Sequence, residues 1–295
     1  MTDEKNRVPR AAALHDLSCF GRCALTVIDP VLSAMGIQCV PVPTALLSTH
    51  TGGFSDMYFC ALDDAIRGIA DHFEKLGLRF DAVYTGFLGS AEQAGVIGEF
   101  IDRFGSDDGR GGTPLVLVDP VLGDDGELYH TITPALTDAM RRLCIRADVI
   151  TPNITEACLL TGTPYREDVD EGFARTLLQR VAALGVKRVV LTGVSFAPDR
   201  LGAMGYDSRT GTYFTAQGRR VPASFHGTGD IFAATVTGGL MRGMTLEQSS
   251  ALAVEFVLAC IDATARDPHA DWYGVEFEKA LPLLCRRVQE LAKSE

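Results

Sequence analysis

The sequence has few basic residues relative to acidic ones, and this excludes two broad classes of binding protein. Its 27 Lys and Arg residues are outnumbered by 38 Asp and Glu residues, which gives a net charge of −11. A protein that binds nucleic acid or an anionic membrane surface needs clustered positive charge. We therefore expect neither partner for this chain.

The sequence also lacks a long apolar run and closely paired cysteines. No uninterrupted apolar stretch approaches the roughly 20 residues of a membrane-spanning helix, and residues 1–10 contain no signal-peptide core. The eight cysteines are scattered, without a C-x-x-C pair, which is typical of reduced thiols. We do not extend this assignment to Cys19 and Cys23, which lie in a Gly-containing loop. We predict a cytoplasmic protein with no membrane span.

The chain does contain a regular alternation of strand-like apolar runs and helical patterns. Strands are predicted over residues 11–17, 38–43, 81–85, 115–118, 148–151 and 188–192. Helices are predicted over residues 25–35, 57–76, 91–104, 134–146, 154–160 and 173–184, and throughout from residue 231 onward. An edge hairpin is predicted from residues 201–206 and 212–215, and a surface loop over residues 106–113.

This alternation predicts an α/β fold with a mostly parallel central sheet that helices cover on both faces. No internal repeat or linker divides the sequence. Residues 1–295 are therefore predicted to form a single domain, with residues 1–9 as a flexible tail.

The most informative segment is His226-Gly227-Thr228-Gly229-Asp230, which leads into an Ala-rich apolar run that is typical of a helix. Glycines allow the backbone to approach a ligand closely, and a helix N-terminus offers free N–H groups to an anion. A carboxylate beside a phosphate site is useful if it takes a proton from an attacking hydroxyl. The alternative is that Asp230 simply caps the helix.

Polar residues follow the predicted strands where ligands bind to parallel sheets, beyond the carboxyl ends of the strands. The polar residues at these ends are Asp16, Ser18, Thr49, His50, Thr51, Asp119, Thr151, Asn153, Glu156 and Thr192, and the glycine-containing segment Gly86-Phe87-Leu88-Gly89-Ser90 follows the third strand. Asn153 and Glu156 are three residues apart at a predicted helix start, so they could also form a capping box. Two converging carboxylates, Asp119 and Glu156, would need a cation between them, and Mg²⁺ accepts one or two carboxylates together with phosphates.

Six segments, in order, resemble the ribokinase-like superfamily and, within it, the pyridoxal kinases. They are Ser18, Ser48-Thr49-His50-Thr51-Gly52, Gly86-Phe87-Leu88-Gly89-Ser90, Asp119-Pro120-Val121-Leu122-Gly123, Thr151-Pro152-Asn153-Ile154-Thr155-Glu156 and Gly227-Thr228-Gly229-Asp230. The resemblance runs from about residue 11 to residue 265. It implies a three-layer α/β/α fold and ATP-dependent phosphorylation of the hydroxymethyl group of pyridoxal, pyridoxamine or pyridoxine.

The resemblance also implies roles for individual residues. Asp230 would be the general base, and the N–H groups of Gly227, Thr228 and Gly229 would form the anion hole. On the substrate side it implies Ser18, His50, Thr51 and Phe87, although His50 could instead be a structural loop residue. On the nucleotide side it implies Asp119, Thr151, Asn153, Glu156, Thr192 and Thr228.

The resemblance further implies ATP as phosphoryl donor and Mg²⁺ held by Asp119 and Glu156. A monovalent cation is a further candidate cofactor, and a homodimer is the expected assembly. Phe87 stands where relatives often carry Tyr, and the loop at residues 20–22 is shorter than in some of them. Arg22, in that loop, could reach a phosphate or face the solvent.

Two other functions stay open at this point. One is a hydroxymethylpyrimidine kinase of thiamine synthesis, although those relatives usually begin with an Asp-Ser-x-Gly-Gly loop that residues 16–21 lack. The other is a non-catalytic ligand-binding relative, which would need neither the base nor the metal carboxylates. A dinucleotide-dependent oxidoreductase is excluded because no G-x-G-x-x-G follows the first predicted strand.

Overall fold

The computed structural model describes residues 7–106, 112–222 and 225–291. Within these ranges the strands, in chain order, are β1 (Arg10–Leu14), β2 (Leu17–Phe20), β3 (Gln38–Pro41), β4 (Ala45–Thr49), β5 (Phe59–Ala61), β6 (Ala82–Thr85), β7 (Leu115–Val118), β8 (Gly123–Asp124), β9 (Glu127–Leu128), β10 (Val149–Ile150), β11 (Arg188–Val194), β12 (Arg200–Asp207) and β13 (Thr212–Arg219). The helices are α1 (Leu25–Ala34), α2 (Asp63–Lys75), α3 (Ala91–Phe104), α4 (Pro134–Cys144), α5 (Ile154–Thr161), α6 (Glu171–Ala182), α7 (Thr228–Met241), α8 (Leu246–Arg266) and α9 (Leu281–Leu291).

Eight strands form the central sheet, in the order β13-β12-β11-β10-β7-β6-β1-β3. The strands from β3 to β11 pair in parallel, whereas β11, β12 and β13 pair antiparallel at one edge. The predicted mostly parallel sheet and its edge hairpin are therefore confirmed. Because the parallel strands all end at one edge, the polar residues that follow them lie along that edge.

Side chains of the central strands alternate between two hydrophobic cores, as a sheet covered on both faces requires. In β7, Val116 and Val118 pack into the core that helices α3 to α6 cover. Leu117, between them, packs into the opposite core with Tyr84 and with Phe256 of α8. The predicted three layers, helix on sheet on helix, are thus confirmed.

A second, three-stranded sheet (β2-β4-β5) lies beside the first and corrects two predictions. The strand predicted over residues 11–17 is wrong beyond Leu14, because the backbone of His15 and Asp16 leaves the central sheet. Their carbonyl groups accept hydrogen bonds from the N–H groups of Thr44 and Leu25. The helix predicted over residues 57–76 is wrong in its first part, since β5 pairs with β4 and α2 begins only at Asp63.

The C-terminal region is also less continuous than the predicted helix from residue 231 onward. Helix α7 ends at Met241, and Gly243 follows it with a φ of 83°, which a right-handed helix does not allow. A capping box between Thr245 and Gln248 then starts α8. Residues 267–276 are not helical, and Pro268 lies in this break. A short 3-10 helix, Phe277–Lys279, then precedes α9.

Helix α8 meets the length and composition expected of a membrane span over Leu246–Ala265. Core helices of soluble proteins meet the same criterion, and Phe256 and Cys260 of α8 are fully buried against the sheet. Packing against the sheet therefore accounts for part of its apolar character, since 39% of this stretch is buried. The single-domain assignment stays a prediction. Residues 1–6 of the expected tail and residues 107–111 of the expected loop lie outside the described residues.

Candidate active site

The N-terminus of α7 lies at the carboxyl edge of the sheet, with a tight glycine turn before it. Gly227 has a φ of 79°, and a Cβ atom built there would lie 2.0 Å from the carbonyl oxygen of Arg22. Only glycine fits this contact without moving the backbone. Among the described residues, no side chain caps the first turn of α7. Its N–H groups are therefore available to an anion.

Asp230 lies in the first turn of α7, but it does not cap that helix. Its Oδ2 accepts a hydrogen bond of 2.9 Å from the N–H group of Ala24, immediately before α1. Ala24 holds this position with a φ of 49°, a left-handed conformation that is unusual for alanine. Burial, and the nearby carboxylate of Asp16, raise the pKa of Asp230 to about 7. Such a carboxyl group can exchange a proton near neutral pH.

A second carboxylate, Asp16, lies close to Asp230, and sequence analysis gave it no role. The Ser18 hydroxyl donates a hydrogen bond of 2.8 Å to Asp16 Oδ2. The carbonyl of Asp16 accepts a hydrogen bond from the N–H group of Leu25. The preceding residue, Ala24, donates to Asp230, so two consecutive N–H groups bind the two aspartates. Burial raises the pKa of Asp16 to about 6. In the sequence, only its position after the first predicted strand indicated that Asp16 could belong to the site.

Cys23, one of the two cysteines set apart above, is adjacent to these carboxylates. Burial, with the charges of Asp230 and Asp16, raises the pKa of its thiol well above the usual value. A thiol in such surroundings stays protonated and unreactive. Cys19 is exposed and free.

Asp119, Thr151 and Glu156 form a second polar group at the same edge. The Thr151 hydroxyl donates a hydrogen bond of 2.8 Å to Asp119 Oδ1. Burial and the charge of Asp230 raise the pKa of Asp119 to about 8. Burial and the charge of Asp119 also raise the pKa of Glu156 well above its usual value. Two buried carboxylates thus repel each other, which a cation between them would relieve.

Glu156 and Asn153 form the capping box that the spacing allowed. Asn153 Oδ1 accepts from the N–H group of Glu156, and Glu156 Oε2 accepts from that of Asn153, both at 2.8 Å. Glu156 Oε1 also accepts from the N–H group of Leu122 at 3.2 Å. Each carboxylate oxygen keeps a further lone pair. Glu156 therefore caps α5, and its carboxylate oxygens can still bind a second partner.

This group does not form a complete metal site by itself. Among the described residues, no three His, Cys, Asp or Glu side chains lie close enough together to hold a metal ion. Mg²⁺ usually keeps several waters and uses one or two carboxylates plus phosphates. The pair of Asp119 and Glu156 fits that requirement. The nearby Thr192 donates its hydroxyl to the carbonyl of Pro152 at 3.4 Å.

His50 has both ring nitrogens occupied by the backbone. Nδ1 accepts from the N–H group of Gly52 at 3.2 Å, so Nε2 carries the proton and donates to the carbonyl of Tyr273 at 3.1 Å. Burial and the neighbouring His226 lower the pKa of His50, which keeps its ring neutral. This geometry matches the structural alternative for His50. Thr51 is half-buried on the same loop.

An aromatic cluster links this loop to the C-terminal region. We define the cluster as Phe20, His50, Phe54, His226, Trp272 and Tyr273. The ring centroids of Phe54 and Trp272 are 4.7 Å apart, and those of His50 and His226 are 4.9 Å apart. His226 immediately precedes Gly227, so the cluster adjoins the α7 N-terminus. Sequence analysis missed Trp272 and Tyr273 because it assigned them to a continuous helix.

Arg22 is attached to the edge of this cluster and does not face the solvent freely. Its guanidinium lies 5.4 Å from the centre of the Tyr273 ring and pairs with Glu278 at 2.9 Å.

Phe87 is buried, and its carbonyl accepts a hydrogen bond of 3.5 Å from the Thr44 hydroxyl. Phe87 follows β6 by two residues and so lies at the carboxyl edge of the sheet.

Comparison with known proteins agrees with the fold. The phosphomethylpyrimidine kinase family model matches residues 25–271. A pyridoxine/pyridoxal/pyridoxamine kinase of Bordetella avium is 32% identical over 83% of this chain and 82% of its own length. The pyridoxal kinase of Lactobacillus plantarum is 31% identical, with a TM-score of 0.86 over 96% of this chain and 99% of that one.

A further solved structure is a candidate phosphomethylpyrimidine kinase from Bacteroides thetaiotaomicron, in a crystal form with pyridoxal. It is 37% identical, with a TM-score of 0.87 over 94% of this chain and 96% of that one. The chain therefore belongs to the phosphomethylpyrimidine kinase family, and the kinase activity and the resemblance to pyridoxal kinases of ribokinase-like fold that its motifs indicated are confirmed.

Proposed function

We propose that this kinase transfers the terminal phosphoryl group of ATP to the 5′-hydroxymethyl group of pyridoxal, pyridoxamine or pyridoxine. The observation that carries the proposal is the position of Asp230. Its carboxylate lies at an uncapped helix N-terminus and is bound by Ala24 instead of by its own helix. A base next to an anion site is the arrangement that phosphoryl transfer to an alcohol requires.

In this proposal the chain's own groups divide the work between proton transfer and charge stabilisation. Asp230 accepts the proton of the substrate hydroxyl as that oxygen attacks the phosphorus atom. The N–H groups of Gly227, Thr228 and Gly229 bind the phosphoryl oxygens as negative charge shifts among them. Preorganised donors of this kind contribute typically about 3 kcal/mol of transition-state stabilisation each.

Asp119 and Glu156 would hold Mg²⁺ in this proposal, since they are buried, repel each other and have free lone pairs. When bound, the ion would neutralise charge on the ATP phosphates. Thr151 orients Asp119, and Asn153 orients Glu156. Thr192 and Thr228 would contact nucleotide phosphates.

Substrate recognition is assigned to Ser18, Thr51 and Phe87. The first two would hydrogen-bond the heteroatoms of the pyridine ring, and Phe87 would provide an apolar wall. We place His50 in the aromatic cluster rather than on the ring, because its nitrogens are already bonded. A homodimer, a monovalent-cation requirement and a cytoplasmic location stay predictions.

A hydroxymethylpyrimidine kinase is the second candidate, and the family model that matches this chain favours it. Its substrate carries a hydroxymethyl group on a similar six-membered ring, so Asp230 and the anion hole would act in the same way. The two candidates therefore differ in the ring that is recognised.

A panel of substrates tests the proposal directly. Purified protein with MgATP is offered pyridoxal, pyridoxamine, pyridoxine and hydroxymethylpyrimidine, and kcat/KM is measured for each. We expect at least one B6 vitamer to exceed the pyrimidine by about tenfold or more, since one mismatched buried hydrogen bond costs roughly that factor. A pyrimidine preferred over all three vitamers would assign the chain to thiamine synthesis.

Asp230→Asn tests the base. The amide is isosteric but cannot accept the proton, so we expect kcat to fall by about a hundredfold or more. The dissociation constants of ATP and pyridoxine should stay within a few-fold of the parent, as calorimetry can measure. Asp29→Asn, on the exposed face of α1, is the matched control and should retain parental turnover. Near-parental kcat in the Asp230 variant would contradict the assignment.

Glu156→Gln tests the metal carboxylate. The amide keeps the side chain's volume but removes a charged ligand, so we expect the Mg²⁺ concentration for half-maximal activity to rise by about tenfold. A Mg²⁺ titration at saturating ATP and pyridoxine measures the shift. Glu171→Gln, an exposed residue of α6, serves as control. An unchanged titration would remove Glu156 from the metal site.

The raised pKa of Asp230 predicts how turnover depends on pH. The base works only when ionised, and its pKa is about 7. Activity should therefore be full above that value and should decline towards tenfold per pH unit below it. Measuring kcat from pH 5.5 to 9 with both pyridoxine and pyridoxamine separates this effect from substrate ionisation. A kcat that stays constant down to pH 5.5 would exclude a base with this pKa.

A further inference from the structure

The buried pair of Asp16 and Ser18 has a defined hydrogen-bond direction that the proposed reaction does not use. Asp16 is 7% exposed and Ser18 is fully buried. The Ser18 hydroxyl donates to Asp16 Oδ2 at 2.8 Å. An ionised carboxylate can only accept, and a hydroxyl has a single proton. The proton of Ser18 is therefore directed at Asp16, and a ring that reached this buried hydroxyl, beside the Cys23 thiol, would meet the lone pairs of its oxygen.

Both partners are held in place by the backbone. Ser18 lies within β2, opposite Leu47 of the paired strand β4. The carbonyl of Asp16 accepts a hydrogen bond of 3.2 Å from the N–H group of Leu25 at the start of α1. Ser18 is therefore fixed on a regular element, and Asp16, in the connection between β1 and β2, is tied to the start of α1. The direction of this hydrogen bond is thus a built-in property of the site.

We infer that Asp16 is a positioning residue that makes Ser18 a hydrogen-bond acceptor, so that the pocket selects a six-membered ring with a protonated nitrogen. This inference rests on the proposed function and names the form of the substrate that the site takes. A 3-hydroxypyridine ring readily carries a proton on its nitrogen, whereas a pyrimidine nitrogen is much less basic. The pyrimidine would direct a lone pair at another lone pair. Such a mismatch costs about tenfold to a hundredfold in affinity.

The site's charges agree with this preference for a cationic ring. Asp230 lies close enough to Asp16 for their charges to interact. Cys23, which adjoins both carboxylates, stays a neutral thiol. A pyridinium ring would meet negative charge here and would be favoured for that reason as well.

Asp16→Asn tests the inference, because its amide can donate to Ser18 and release the Ser18 proton towards the ligand. We expect the KM of pyridoxine to rise by about tenfold while that of hydroxymethylpyrimidine stays level or falls. The pyridoxine-to-pyrimidine ratio of kcat/KM should therefore fall by about tenfold or more. Effects of Asp16 on the neighbouring Asp230 change kcat for both substrates and cancel in this ratio.

Two further variants separate positioning from general structure. Ser18→Ala should lower the same ratio, and the double variant with Asp16→Asn should lower it no further. Asp29→Asn breaks a similar but exposed pair, in which Ser33 donates to Asp29 Oδ1 at 3.2 Å, and should leave the ratio unchanged. A ratio within twofold of the parent in Asp16→Asn, or an additive double variant, would overturn the inference.

Equilibrium binding distinguishes this inference from the proposed function. Calorimetry with pyridoxine and with its carbocyclic analogue, in which ring C–H replaces the nitrogen, needs no turnover. The parent should bind pyridoxine at least tenfold more tightly, and Ser18→Ala should lose that difference. If the parent shows this preference but phosphorylates no vitamer, the proposed function fails and the inference stands. Equal binding of the two compounds by the parent would overturn the inference even if Asp16→Asn cannot be folded.

Discussion

The hydrogen bond from Ala24 to Asp230 is the interaction on which the site depends. It crosses from the start of α1 to the first turn of α7, two helices that pack on the same face of the sheet. Without it, Asp230 would be free to cap its own helix and to fill the N–H groups that an anion needs. The strained conformation of Ala24 is the local cost of this arrangement.

A concentration of buried negative charge is the second constraint. Asp16, Asp119, Glu156 and Asp230 lie near one edge of the sheet, and burial raises the pKa of each one. Such a group of carboxylates destabilises the folded chain when all are ionised and nothing positive is bound. In our proposal a bound cation and a protonated substrate ring would relieve that repulsion, so ligand binding would also stabilise the fold.

Most of the site could be predicted because parallel strands end at a common edge. β7 coincides with its predicted bounds, and Asp119 follows it directly. The same logic located Thr151, Asn153 and Glu156 after β10. Local spacing also allowed the capping box of Asn153 and Glu156, since both partners lie within one helical turn.

The parts that sequence analysis missed depend on contacts between distant segments. The aromatic cluster joins Phe20, the His50 loop, His226 and Trp272. No local sequence pattern predicts contacts between such distant segments. β5 was assigned to a helix because its partner β4 had not been recognised as a strand. Pairing between strands, rather than the composition of either one, decided that region.

The same reasoning explains why the groups proposed for phosphoryl transfer were easier to predict from the sequence than the groups proposed for specificity. An anion hole needs a glycine turn and a helix N-terminus, which are contiguous in sequence at Gly227–Asp230. Ring recognition, as we propose it, depends on the direction of a single proton between Asp16 and Ser18. That direction is set by a neighbour's charge and not by the type of residue that touches the ring. Two chains with the same residues in contact with a substrate can therefore prefer different rings, if the carboxylate behind the serine differs.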